Sequence, residues 1–398
     1  MNFDSAISTP IVSSAAFSYE NSAEAEAIFS GNSPKPLYSR MGNPTTTILE
    51  TKLAKLDDGV GAVATSSGMG AIAMVITALT KSKDEIISIG GLFGGTYSFM
   101  KQTLPRFGVK THFFDVDEFN ALENAINENT KIIYCESVGN PSLRLPNLKK
   151  IGEIASKHGI IFIVDNTITP LVVRPFECGA DISVYSTTKI LSGNSSALGG
   201  VAIVKAVVDG DKFHCSKYEF LKPFIKKLGK KALVGCCKKR ALRDFGMSAN
   251  AHSSYQTLLG LETLELRTER VNSSAEIVAF CLKENGLNVN HPSLNDSIDN
   301  ALYKEQYKNG CGSMVTLDMG TKSKAFQFLD NSELLTLTAN IGDSRTLGLH
   351  MASTIFSDFN EEEKEFLGIT DGLIRLSIGL ENPKLICEDL LECFRAVK

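Results

Sequence analysis

Between about residues 60 and 205, short apolar runs rich in Val, Ile, Ala and Phe alternate with stretches whose apolar positions recur at helical spacing. The apolar runs fall at 62–66, 85–89, 109–114, 131–136, 160–165, 182–186 and 200–204, and helical patterns lie between them, at 69–79, 120–126 and 148–157 among others. Such alternation predicts a mainly parallel, seven-stranded sheet covered by helices. Ile160-Ile-Phe-Ile-Val164 is apolar at every position rather than at every second one, which fits a strand buried on both faces. The flanks read differently. Residues 1–55 show little periodicity and carry turn signals at Gly31-Asn-Ser-Pro34, Pro36 and Gly42-Asn-Pro44, so they read as an arm that crosses onto something else. A helical pattern runs over 253–285, and residues 290–398 read as a smaller α+β unit with strands at 313–317 and 373–378 and a closing helix over 384–397. The predicted division is an arm (1–55), a large α/β domain (56–250) and a small C-terminal domain with its connecting helix (251–398).

Composition narrows the function classes. The chain has 398 residues, 43% hydrophobic and 22% charged, with a net charge of −4. These values suit an ordinary globular protein and give no reason to expect nucleic acid or membrane binding. Met1-Asn-Phe-Asp-Ser lacks a basic leader region, and no apolar run reaches membrane-spanning length, so a cytoplasmic protein is expected. Nine scattered cysteines, with one adjacent pair at Cys236-Cys237, suit reduced thiols better than a disulfide framework. The six histidines stand in no metal-ligand spacing, so no metal is expected. One segment departs from the average. Between 206 and 245 stand Lys222, Lys226, Lys227, Lys230, Lys231, Lys238, Lys239, Arg240 and Arg243. A solvated insertion or helix face explains them, and a docking surface for an acidic partner is the alternative.

The candidate chemistry lies at strand ends. Asp165 closes the run 160–165, where open α/β sheets bind ligands. Lys189 follows a second strand behind Ser186-Thr187-Thr188. A carboxylate for a pyridinium nitrogen, a lysine for an imine and hydroxyls for a phosphate are what pyridoxal phosphate requires of a protein. Thr65-Ser-Ser67-Gly68-Met69-Gly70 joins a strand to a helix, and a helix N-terminus with close-approaching glycines can bind an anion. It does not match the dinucleotide fingerprint. Arg40, in Tyr38-Ser39-Arg40, could fork onto phosphate or be a plain surface residue. Phe93, presented by Gly90-Gly-Leu-Phe93-Gly-Gly95, could stack on a flat ring or anchor its loop. Arg375 interrupts the apolar run Leu373-Ile-Arg375-Leu-Ser377, and its partner is either a bound carboxylate or a protein Asp or Glu.

Taken together, Tyr38-Ser39-Arg40, Ser66-Ser-Gly-Met-Gly-Ala71, Glu136-Ser-Val-Gly-Asn140-Pro141, Val164-Asp-Asn-Thr167, Ser186-Thr-Thr-Lys189 and Leu373-Ile-Arg-Leu-Ser-Ile-Gly379 resemble the trans-sulfuration family of pyridoxal-phosphate enzymes. The resemblance runs from about Pro10 to Val397. It implies the aspartate-aminotransferase-like fold (fold type I), with 56–250 as the cofactor-binding domain. Lys189 then corresponds to the imine lysine that also moves protons, Asp165 to the pyridinium partner, and Asn140 to a residue near the ring oxygen. Ser67, Gly68, Met69, Ser186 and Thr188 correspond to phosphate contacts. Tyr38 and Arg40 correspond to a pair reaching the phosphate of a neighbouring subunit, which implies active sites shared in a dimer and usually a homotetramer. Arg375 corresponds to the binder of the substrate α-carboxylate. Phe93 stands where many members have Tyr, and Gly95 where methionine γ-lyases typically carry Cys. Asn340, in Ala339-Asn-Ile-Gly-Asp343, resembles sulfhydrylases, whereas synthases and lyases usually have Ser there. The resemblance therefore implies O-acetylhomoserine sulfhydrylase: O-acetyl-L-homoserine plus a sulfur nucleophile gives L-homocysteine and acetate, a step of methionine biosynthesis. Cystathionine γ-synthase or a methionine or cystathionine γ-lyase is the alternative, and a non-catalytic scaffold docking an acidic partner is the alternative of another class. Free sulfide or a small sulfur-carrier protein, met by the basic segment, are the conceivable donors.

Overall fold

In the computed structural model of the chain, which describes residues 6–308 and 310–397, each of the seven apolar runs becomes a strand. These are β1 (Gly61–Thr65), β2 (Glu85–Ile89), β3 (Lys110–Phe114), β4 (Thr130–Glu136), β5 (Ile161–Asp165), β6 (Ile182–Tyr185) and β7 (Gly200–Val204). They form one sheet in the order β1-β7-β6-β5-β4-β2-β3. From β6 through β3 the neighbours are parallel, and β7 runs antiparallel to both β6 and β1. The continuous apolarity of β5 has the expected cause. Ile161 and Ile163 pack into a core shared with helix Gly68–Leu79, while Phe162 and Val164 pack into a second core with helix Leu148–Lys157. A strand covered on both faces has no polar side to show.

The lysine-rich segment is more than a solvated insertion. It folds into short helices, including Lys222–Leu228 and Ala232–Cys237, and buries Leu233, Cys236, Cys237, Ala241 and Leu242 in the first of those cores. Its basic side chains line the outer side, where Lys222 meets Glu219 at 2.9 Å and Lys238 meets Glu50 at 2.8 Å.

The N-terminal segment also differs from its sequence reading, for it contains helices Ser22–Ser30 and Pro44–Ala54. Gly42-Asn-Pro44 is a helix start rather than a free turn. The Asn43 side chain accepts from the Thr45 amide, and Pro44 occupies the first turn, where its missing N–H costs nothing. Thr45, Thr46, Leu49 and Leu53 are buried, and the Thr46 and Ser254 hydroxyls meet at 2.9 Å. Three consecutive threonines with poor helix propensity hide this helix from a periodicity reading.

The expected long helix over 253–285 breaks in two, Ala251–Leu261 and Leu264–Glu284, with Thr263 outside helical geometry. Carbonyls released at such a break need donors, and the Arg267 guanidinium supplies one. It donates to Gly260 O at 2.6 Å and, across to the loop after Lys189, to Ile190 O at 2.5 Å. The small sheet contains β8 (Val289–Asn290), β9 (Met314–Asp318), β10 (Thr336–Leu337), β11 (Leu347–His350) and β12 (Leu373–Ser377), in the order β10-β11-β12-β9-β8. Only β9 and β12 were expected from sequence. Helices Leu264–Glu284, Lys322–Asp330 and Pro383–Ala396 supply the rest of its core. Among the described residues no helix is long and apolar enough to cross a membrane.

Candidate active site

Chain direction in the large sheet collects the candidate residues at one edge. β4 ends at Glu136 and β5 at Asp165, directly paired in the parallel register. β1 leads into Ser67, β2 into the loop carrying Phe93, and β6 into Ser186 and Lys189. The carboxyl edge of a parallel sheet is where loops and helix N-termini leave a crevice. Here the crevice is a cavity of about 200 Å³ lined by Ser67, Gly68, Met69, Phe93, Asn140, Asp165, Ser186, Thr188, Lys189 and Arg375, with Glu136, Thr167 and several aliphatic side chains. Of the sequence-predicted residues, Asn340 joins this group through Lys189, and only Tyr38 and Arg40 lie elsewhere.

Asp165 is held by hydrogen bonds rather than by a cation. Its Oδ1 accepts from the Thr167 amide at 3.0 Å and the Thr167 hydroxyl at 2.5 Å, and its Oδ2 from the Tyr134 hydroxyl at 3.3 Å. Burial raises its pKa, and these bonds oppose the rise. Among the described residues Glu136 accepts only from the Phe93 amide, at 2.6 Å, and burial followed by the Asp165 charge drives its pKa well up. Two adjacent buried carboxyls do not both ionise readily, and the hydrogen bonds favour the charge on Asp165 while Glu136 is pushed further toward its neutral form.

Lys189 donates to Asn340 Oδ1 at 2.6 Å. Burial, then the charge of Arg375, lowers its pKa to about 8. Arg375 is 3% exposed on β12. It donates to Asn140 Oδ1 at 2.8 Å and faces the Asn340 carbonyl at 3.5 Å. Among the described residues no carboxylate neutralises it, and burial alone pulls its pKa down to about 10. The sequence left its partner open between a protein acid and a bound carboxylate, and no protein acid is there.

Opposite these groups is an anion cradle. Ser67 caps helix Gly68–Leu79 by accepting from the Gly70 amide, and this helix start, with Ser67, Gly68 and Met69, lines the cavity beside Ser186 and Thr188. The approach is close: a Cβ on Gly68 would stand 2.7 Å from Ser186 Cβ. Thr188 is fixed by the Gly199 amide, which donates to its hydroxyl at 3.0 Å. The Phe93 ring lines the cavity and remains 37% exposed. Tyr38 (44% exposed) and Arg40 lie outside, where the Arg40 guanidinium donates to the Arg243 carbonyl and sits 5.9 Å from the Tyr38 ring.

The Asp165 carboxyl, an amine with a low pKa, a buried guanidinium and a helix N-terminus thus face one cavity, and among the described residues no ion pair neutralises them. These residues fit pyridoxal phosphate and an amino-acid carboxylate. The sequence model of the family described as Cys/Met metabolism PLP-dependent enzyme matches residues 2–395.

The chain belongs to that family.

Relatives agree over nearly the full length. Homocysteine synthase of Schizosaccharomyces pombe is 35% identical, covering 96% of this chain and 92% of the relative. O-acetyl-L-homoserine sulfhydrylase of Leptospira meyeri is 32% identical, covering 98% and 92%, and L-methionine gamma-lyase of Fusobacterium nucleatum is 32% identical, covering 98% and 93%. A crystal structure from Campylobacter jejuni, assigned as an O-acetylhomoserine (thiol)-lyase and carrying a pyridoxyl-lysine monophosphate, superposes with a TM-score of 0.90. It is 32% identical and covers 99% of this chain and 96% of that one. The protein is thus a fold type I, pyridoxal-phosphate-dependent enzyme of the Cys/Met metabolism family. Sequence reasoning overlooked Glu136, Thr167, Tyr134 and Ser195. Glu136 and Thr167 lay in quoted motifs, but only the β4–β5 register sets Glu136 beside Asp165, and only the fold turns the Thr167 hydroxyl onto it.

Proposed function

We propose that this enzyme catalyses γ-replacement, converting O-acetyl-L-homoserine and a sulfur nucleophile into L-homocysteine and acetate in the cytoplasm. The observation that carries the choice within the family is at Gly95. A Cβ there would lie 2.7 Å from the Phe93 ring and 3.4 Å from Met69 Sδ. The thiol side chain that the resemblance associates with methionine γ-lyase therefore has no space unless Phe93 moves. Asn340, rather than Ser, on Lys189 supports the same reading.

Each residue has a role that its surroundings favour. Arg375 holds the substrate carboxylate in place of its missing protein partner. Lys189 forms the covalent link to the cofactor and, as a free amine, moves protons at the substrate carbons; its low pKa suits it to this work near neutral pH. Asp165 keeps a negative charge for the pyridine nitrogen, with Glu136 neutral beside it. Ser67, Gly68, Met69, Ser186 and Thr188 receive the phosphate, Phe93 covers the ring, and Asn140 steadies Arg375. Bound pyridoxal phosphate supplies the electron sink. Tyr38 and Arg40, outside their own cavity, complete the site of a second copy, within a homotetramer.

A substrate panel tests the reading. Purified enzyme should form homocysteine from O-acetylhomoserine with sulfide, and should not form cystathionine when cysteine replaces sulfide. Release of methanethiol from methionine alone, at a comparable rate, would make it the γ-lyase that the Fusobacterium relative is named as.

A further inference from the structure

We propose that Ser195 and Asp343 are positioning residues that fix which end of the Asn340 amide faces Lys189, and so keep the lone pair of the Lys189 amine free. This deepens the reading of Lys189 above and rests on it. The contacts form a chain. Arg345 donates to Asp343 Oδ1 from its amide (3.0 Å) and Nε (2.8 Å), and to Oδ2 from Nη2 (3.1 Å). The Ser195 hydroxyl also donates to Asp343 Oδ2, and the Asn340 amide Nδ2 donates to Ser195 Oγ at 2.8 Å. Asn340 Oδ1 then accepts from Lys189 Nζ at 2.6 Å.

The direction of this chain follows from its far end. Asp343 is 2% exposed. Burial favours its neutral form, but the hydrogen bonds from Arg345 and Ser195 outweigh burial and keep its pKa below the usual value. An ionised carboxylate only accepts. Ser195 has a single proton and must give it to Asp343, so its oxygen receives the Asn340 NH₂. The Asn340 oxygen is thereby left for Lys189. An amine that donates to a carbonyl keeps its lone pair for attack on the cofactor aldehyde; an amide NH₂ in the same place would donate into that lone pair. Ser195 has φ +56°, a left-handed conformation unusual for a residue with a side chain. The loop is tied to its partner segment by the Ser344 amide, which donates to Gly193 O at 2.9 Å.

Asp343→Asn reverses the chain. The new carbonyl belongs at the Oδ1 position, which faces two Arg345 donors against one at Oδ2, so the new NH₂ gives up the Nη2 contact and faces Ser195. Ser195 then donates to Asn340, and Asn340 turns its NH₂ on Lys189. Ser195→Gly removes the relay and also relaxes the backbone. The test mixes cofactor-free full-length enzyme with pyridoxal phosphate, follows the visible band, and traps the product with borohydride for peptide mapping. Asp343→Asn should slow capture about tenfold, roughly the effect of one hydrogen bond, with Ser195→Gly slowed less. The double variant should capture faster than Asp343→Asn alone, because nothing transmits the reversed polarity. Steady-state kcat should follow the same order, with KM changing less. A purely structural role predicts that Ser195→Gly matches the parent and that the double variant is no faster than Asp343→Asn; either result overturns the relay. If borohydride labels no lysine at position 189 of the parent, the reading of Lys189 fails instead.

Discussion

A buried guanidinium with only amide partners leaves its desolvation cost uncompensated, and such sites are maintained where a ligand supplies the missing charge. Arg375 is in this position, fully enclosed and bonded to Asn140 and the Asn340 carbonyl. Arg375→Lys keeps the charge and loses the fork, so KM for the amino-acid substrate should rise about 10- to 100-fold, as expected for a charge-assisted pair of hydrogen bonds. Steady-state kinetics at saturating sulfide would measure it, and an unchanged KM would remove Arg375 from carboxylate binding. The same residue shapes the pH response of Lys189. The lysine attacks as a free amine, and burial together with the Arg375 charge holds its pKa near 8. Covalent capture of pyridoxal phosphate should therefore accelerate as pH rises toward about 8 and level off above it. Asp165 and Glu136 line the same cavity, and their unequal hydrogen bonding favours the charge on Asp165 over Glu136. Arg375→Leu removes a neighbouring positive charge, so the midpoint should move to higher pH; a downward shift would contradict the assignment of causes.

At the scale of elements, the cradle depends on one close approach. The N-terminus of helix Gly68–Leu79 reaches the end of β6 only because residue 68 has no side chain. Gly68→Ala should push the first turn away from Ser186 and weaken cofactor affinity at least about tenfold, with the sheet intact, since anion binding at a helix terminus fades within its first turn. Equilibrium titration of cofactor-free enzyme checks it. Elements of this kind were legible in the sequence for a physical reason. Strands covered on both faces must be largely apolar, and all seven runs became strands, including β3 at the sheet edge, which is only partly buried. The proposed contacts to a charged cofactor and substrate call for residue types such as those of Ser67, Asp165, Lys189 and Arg375, whether a loop or a strand carries them. The elements that escaped notice have stabilities set by tertiary contacts. β8 and β10 span two residues each, helix Pro44–Ala54 buries Thr45 and Thr46 against the rest of the chain, and the break at Thr263 is bridged by an arginine a turn later. Ser195 and Asp343 were hidden because their significance is a direction of hydrogen bonding, which no residue pattern encodes. Arg267 links this scale to the site, because it supports carbonyls of both the helix break and the loop after Lys189. Arg267→Leu should cost about 2–3 kcal/mol, the value of hydrogen bonds to a charged group, read as a lowered denaturation midpoint.

At the scale of the whole molecule, the proposed sharing of sites between copies is tested at Tyr38 and Arg40. They sit on the N-terminal segment, outside the cavity that holds every other candidate phosphate ligand, with Arg40 steadied by the Arg243 carbonyl beside the basic segment. Two arrangements are open to them. If the pair serves only its own chain, Arg40→Ala and Lys189→Ala are each defective, and mixing the two proteins restores nothing, because every chain carries a lesion in its own site. If sites are shared between two copies related by a twofold axis, a hybrid dimer differs. The subunit with intact Lys189 receives intact Arg40 from its partner, while the other site combines both lesions. Random pairing makes half of the dimers hybrids with one sound site of two, so the mixture should recover about a quarter of the parental activity. The recovery must require subunit exchange, so it should be absent when the two variants are mixed without a dissociation step. Co-refolding the doubly changed chain with the parental chain should in turn leave about a quarter of the parental activity rather than about half, because the intact Lys189 of a hybrid then meets Ala at position 40 of its partner. Homocysteine formation before and after co-refolding measures all three mixtures. Failure of the first to exceed the sum of its parts, with tetramers present by light scattering, would confine Arg40 to its own subunit.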